Sequence, residues 1–122
     1  MHLRTMICAF GVLVASPASA SAFLVNFKWC GSGSPTFSLV GVPSGTAKLS
    51  FNMTDLNVPN YEHGGGTVTY SGQQTVPCGA LDNYVGPSPP NGPHTYRFAV
   101  TALDAKGGTL GTATATRQFP EK

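Results

Sequence analysis

The chain has 122 residues, with 41% hydrophobic and only 10% charged residues, and a formal net charge of +2. The few Lys and Arg form no run or stripe, which removes the electrostatic footprint of a nucleic-acid-binding protein. Fifteen glycines and ten prolines, scattered through short apolar runs, argue against a helical bundle and for a β-protein.

In chain order, residues 1–22 come first and are set apart from the fold. A basic start at Arg4 precedes an apolar run from Met6 to Ala15 and then small residues, with A-x-A patterns ending at Ala20 and Ala22. That order is expected of a secretory signal peptide, and the run is too short to span a bilayer. An uncleaved N-terminal anchor is the alternative. Cys8 has no small-residue lipobox before it, and no second apolar run of membrane length follows. The expected locale is therefore secreted or periplasmic, with residues 23–122 forming one domain around one core. This part carries six Lys or Arg against five Asp or Glu. Thr, Ser, Asn and Gly must then supply most of its solubility.

Short strands are expected over Ala22–Trp29 and Thr36–Val40. The next element, "KLSFNMTD" at Lys48–Asp55, alternates strictly, with Leu49, Phe51 and Met53 on one face and Ser50, Asn52 and Thr54 on the other. A period of two with one apolar face is a half-buried strand. A weaker strand is expected at Thr67–Ser71. Gln73 to Pro93 reads as a long irregular segment, of a length that tends to be functional in a compact domain. "TYRFAVTA" alternates again, with Tyr96, Phe98, Val100 and Ala102 on one face, and is apolar enough on the other to run inside the sheet assembly. Asp104–Gly108 reads as a hairpin connection into a last strand over Thr109–Phe119. The expected fold is mostly β, an antiparallel sandwich with little helix.

Cys30 and Cys78 remain after the leader. In an oxidising compartment an even pair in a small domain reads first as a disulfide, which would contribute about 4 kcal/mol in the chain-entropy account. Two free thiols or half a metal site are the alternatives. There is no CxxC spacing and only two histidines follow the leader, so neither a metal nor a cofactor is expected.

Three clusters carry the polar chemistry: "DLNVP" (Asp55–Pro59), "YEH" (Tyr61–His63) and "GPSPPNGPHTY" (Gly86–Tyr96). Each has a plainer reading: an Asx-type turn, a surface histidine, a stiff connecting loop. Together they place both histidines, an acid–amide pair and several prolines in loops at strand ends, where proline-stiffened chain presents groups at low entropic cost. The sequence "SPTFSLVGVPSGTAKLSFNMTDLNVP", followed by "YEHGGG" and "NYVGPSPPNGPHTYRFAVTALD", resembles the phosphatidylethanolamine-binding protein family, which includes the Raf kinase inhibitor proteins and the bacterial YbhB/YbcL branch. The likeness runs from Ser34 to about Asp104 and reads as a shortened member.

The resemblance implies that fold and a small surface pocket for phosphate-type anions or phospholipid head groups. Asp55 and Pro59 match the ends of a D-P-D-x-P strand exit, with Asn57 at its second acid and Leu56 at its first proline. His63 matches the histidine that follows, though the tryptophans flanking it in the family are absent. Gly86, Pro89 and Pro90 match the glycine-proline loop, His94 and Tyr96 match H-x-Y, and Tyr61 is a further wall residue. Two histidines, a phenol and loop amides can donate to a phosphate without a basic patch, and more strongly when the histidines are protonated. Asp55 would orient a histidine rather than touch an anion. The implied partner is a small anion or lipid head group, with room for a protein partner. Two further readings stand against it: a structural or adhesive sandwich, since "YRFAVTALDAKGGTLG" is similar to the end of a fibronectin type III domain, and a hydrolase using Asp55, His63 and His94. No G-x-S-x-G elbow or complete metal motif supports catalysis, so binding without turnover is expected.

Overall fold

The structure, a computed structural model, describes residues 22–121. The expected leader therefore lies outside the described residues apart from Ala22. The described residues are all strand and loop, in two antiparallel sheets. Strands β1 (Leu24–Lys28), β2 (Thr36–Val40) and β5 (Thr75–Val76) form one sheet in the order β1-β2-β5. The other contains β3 (Lys48–Asp55), β4 (Gly64–Thr69), β6 (Asn83–Tyr84), β7 (His94–Leu103) and β8 (Thr109–Phe119), in the order β6-β4-β3-β7-β8. No helix among the described residues is long and apolar enough to cross a membrane.

The two alternating stretches behave as their period requires. Leu49, Phe51 and Met53 of β3 and Tyr96, Phe98, Val100 and Ala102 of β7 are all buried, facing the small sheet. Across the core Phe37 of β2 meets Phe51 at 4.5 Å and Phe98 at 4.9 Å between ring centroids, while Phe27 of β1 sits edge-on to Phe98. Burying each such ring contributes about 2–3 kcal/mol. Strand β7 is paired on both sides, by β3 and β8, and so runs inside its sheet as expected.

Two expected elements differ. The strand expected at Thr67–Ser71 is Gly64–Thr69, beginning inside the glycine run. A side chain at Gly64 would run into the Asn83 carbonyl and one at Gly65 into the Phe51 carbonyl, so β4 can lie this close to its neighbours only because these residues are glycine. The long segment from Gln73 to Pro93 is not wholly irregular; the two-residue strands β5 and β6 fasten it to both sheets. A disulfide joins Cys30 to Cys78, with a Cα–Cα distance of 6.0 Å, stapling the β1–β2 loop to the chain after β5. Strand β1 is also tied to β8: Arg117 Nε donates to the Phe27 carbonyl (2.6 Å) and Trp29 Nε1 to that of Gln118 (2.7 Å).

Candidate anion pocket

The pocket lies where the apolar rows of β3 and β7 end. The row Leu49, Phe51, Met53 continues by its period to Asp55, and the row Ala102, Val100, Phe98, Tyr96 to His94, so titratable groups occupy core-facing positions at one end of the sandwich. Pairing in β3–β7 sets Asp55 opposite Tyr96, one pleat from His94. His94 Nδ1 donates to Asp55 Oδ2 at 2.6 Å. The other carboxylate oxygen, Oδ1, accepts from the amides of Asn57 (2.9 Å) and Val58 (3.2 Å), an Asx turn that ends the strand. Burial alone would raise the Asp55 carboxyl; the His94 hydrogen bond, the two amides and the His94 charge outweigh it and hold the group below its ordinary 3.8. Asp55 is therefore a fixed anion that orients His94.

His63 is 3% exposed, not the surface residue that its glycine neighbours suggest. Its Nδ1 lies 2.8 Å from the Val85 carbonyl oxygen, which can only accept, so Nδ1 carries the hydrogen. The ring packs between Tyr61 (4.7 Å between centroids) and Tyr96 (5.3 Å, edge-on). Tyr96 also stacks near His94, at 6.3 Å. Burial first, and then the Asp55 carboxylate, push the Tyr96 phenol up to about 12, so it remains an O–H group at neutral pH.

These groups surround one cavity of about 380 Å³. Asp55, Tyr61, His63, Gly86, Pro89, His94 and Tyr96, all named from the sequence, line it, as does Pro90. No Lys or Arg does. An adhesive sandwich would have kept the two histidines apart; here they share a wall. Asn57 and Pro59, also expected at the site, are outside the lining. Asn57 spends its polar atoms on backbone: its amide caps Asp55, and its Oδ1 accepts from the Thr95 amide at 2.8 Å. Pro59 shapes the turn that Tyr61 N closes onto the Val58 carbonyl (3.1 Å), where a fixed φ is favourable. Val58 and Ser88 line the pocket and were missed. Val58 has no chemical mark in the sequence, whereas Ser88 sits beside a matched proline in the glycine-proline loop. Two of the lining residues, Val58 and Tyr61, are exposed large hydrophobic groups, and two more, Leu56 and Val85, are next in the chain to the lining residues Asp55 and Gly86.

A sequence model of the phosphatidylethanolamine-binding protein family matches residues 62–121, which include both histidines and the proline loop. Two solved structures of that kind share the fold. One is a putative phosphatidylethanolamine-binding protein homologue from Chlamydia trachomatis (TM-score 0.61, 18% identity, 83% of this chain and 99% of that one). The other is E. coli YbcL, described as a new member of the mammalian family (TM-score 0.54, 19% identity, 84% and 100%). No curated protein matches the chain. The family's sequence pattern thus runs through residues 62–121, and the two-sheet fold around it is shared with both of these structures.

Proposed function

We propose that this protein is an exported binding module whose pocket holds a phosphate-type anion, free or as a phospholipid head group, without turning it over. One observation carries the reading: His63 and His94 line the same cavity, and each has its Nδ1 hydrogen committed elsewhere, to a carbonyl and to Asp55. Each ring thus has only Nε2 left for a ligand. Neutral imidazole offers a lone pair there, and protonated imidazole offers a donor. An anion is therefore bound together with a proton on each histidine it contacts, and the Tyr96 hydroxyl supplies a donor that does not titrate near neutrality. With no Lys or Arg in the lining, this protonation is the pocket's means of turning cationic.

The test is an NMR titration with inorganic phosphate and with glycerophosphoethanolamine. Both histidine signals should move together, and affinity should be lower at higher pH, because binding takes up protons. If neither imidazole moves at millimolar ligand, the anion reading is wrong. Export is checked separately, by whether the full chain expressed in cells loses its first 20 or 22 residues.

A further inference from the structure

We propose that the outer edge of β8 is a homodimer interface, where two copies of this chain join antiparallel about a two-fold axis at Thr114. This interface is independent of the pocket reading above. A sheet edge offers unpaired amides and carbonyls to any extended chain, and proteins usually blunt it. Among the described residues, three of the four sheet edges are blunted. Strands β5 and β6, each outermost on one side of its sheet, have only two residues. On β1 the outward groups of Phe27 are both taken: its amide donates to Asn26 Oδ1 (2.9 Å) and its carbonyl accepts from Arg117 Nε (2.6 Å). The fourth edge, β8, runs for 11 residues.

The bonds at one end of β8 fix which of its groups point outward. Thr95 of β7 turns both backbone groups toward β3, its amide to Asn57 Oδ1 and its carbonyl to the Leu56 amide. Its β8 partner Gln118 therefore points away from β7, where Trp29 Nε1 donates to its carbonyl. The register is unbroken from Gln118 to Gly111, so the period of two turns the amides and carbonyls of Thr112, Thr114 and Thr116 outward as well. They have no hydrogen-bond partner among the described residues. No proline or charge guards this stretch, and all three threonine side chains are exposed. The sequence Thr112–Thr116 is Thr-Ala-Thr-Ala-Thr, which reads the same in both directions.

Any extended chain could use these bonds, but the palindrome singles out a second copy, because an isologous antiparallel contact sets each residue against its mirror position. An axis at Thr114 places Thr114 opposite itself and Thr112 of each copy opposite Thr116 of the other. Each pair then exchanges amide and carbonyl, and β-branched hydroxyl side chains meet across the strands without like charges. Trp29 closes the edge at Gln118 and so limits the contact to these positions. His94 pairs with Phe119 at the far end of β8, so the two pockets lie toward opposite ends of the joined sheet.

Sedimentation velocity on the purified chain, from about 5 μM to about 1 mM, tests this; so short a contact belongs to the weak class, so dimer should form toward the upper end and dissociate on dilution. Amide exchange at Thr112, Thr114 and Thr116 should slow as concentration rises, whereas Ala113 and Ala115, which face β7, should be protected throughout. Thr114→Lys and Thr114→Asp each set like charges face to face across the axis and should be monomeric at the highest concentration. An equimolar mixture of the two should form a heterodimer. Thr114 is exposed and its amide takes no part in the β7 ladder, so both variants should keep the Ala113 and Ala115 protection of the wild type. Wild-type protein that stays monomeric to about 1 mM overturns the interface. A dimer that both variants retain, or a mixture that stays monomeric, does so too, because position 114 then does not face itself. Should the variants lose the Ala113 protection, the wild type decides alone: exchange at the three threonines that ignores concentration ends the proposal.

Discussion

Strand β3 ends in an aspartate and β7 is followed directly by one, and the two differ in what faces them. Asp104 closes the β7–β8 hairpin: its Oδ1 accepts from the amides of Lys106 (2.9 Å) and Gly108 (2.8 Å). Asp55 Oδ1 likewise accepts from Asn57 and Val58, but Asp55 lies on a core-facing row and is buried. Both are Asx turns in which Oδ1 takes the amide two residues on; its second amide is three residues on at Asp55 and four residues on at Asp104. At the hairpin the carboxylate meets backbone amides alone, near solvent. At the other end the second carboxylate oxygen is buried and takes His94, the lead member of a group with Tyr96 and His63. A common turn thus becomes part of a site when the strand across from it supplies a partner at the same level.

Removing each carboxylate separates the two roles. Asp55→Ala should lower the unfolding free energy by about 2–3 kcal/mol, because it leaves the half-buried His94 ring without its partner as well as two amides. Asp104→Ala, which loses amide bonds at a wetter site, should cost about 1 kcal/mol. Urea denaturation of both variants measures the gap; equal losses would mean that the His94 pair adds nothing to the turn.

A smaller effect lies in acid. The folded-state pKa of Asp55 is lowered, so in the window around and below 3.8 the unfolded chain takes up the proton first. The stability Asp55 supplies is therefore complete above its unfolded pKa and is lost as pH falls through the lower folded value. Asp55→Asn should be less stable than wild type at pH 6, and the difference should shrink as pH drops from about 4 to 2. A difference that stayed constant over that range would show that the carboxylate's charge is not what His94 and the turn amides stabilise.

How much of this was readable beforehand depends on how local its cause is. β3 and β7 follow from their alternation, because burying one face of a strand imposes a period of two on its own residues. β4 was displaced because its glycines look like a turn, while the reason for them, the close carbonyls of Phe51 and Asn83, comes from strands distant in sequence. The disulfide followed from compartment logic and an even count. That Asp55 would orient a histidine was expected from the sequence; which histidine it takes was not, and the β3–β7 register explains why it is His94. The burial of His63 was not legible at all. The groups that cover it include Val85 and Tyr96, twenty or more residues away, and nothing next to His63 in the chain announces them. The same holds for Val58, an apolar residue in a polar turn that counts only because the proline loop lies opposite.

The finest form of the comparison concerns the second residue after each aspartate. Asn57 and Lys106 occupy equivalent places, each giving its amide to the aspartate Oδ1 at 2.9 Å. Only Asn57 goes further: its side chain accepts from Thr95 N, and the neighbouring Leu56 N donates to the Thr95 carbonyl, so the turn is clamped to β7 right beside His94. Alanine keeps the backbone amide in both places and so removes only what the side chain adds. Asn57→Ala should cost about 1 kcal/mol, the value of one hydrogen bond whose amide is left partly covered, and Lys106→Ala close to nothing. Phosphate affinity should follow the same order, weakening a few-fold in Asn57→Ala because the turn that sets Asp55 against His94 loosens, and staying unchanged in Lys106→Ala. If the asparagine variant lost stability but bound phosphate as before, the clamp would belong to the fold alone, and the position of His94 would be set by β7 and Asp55 without it.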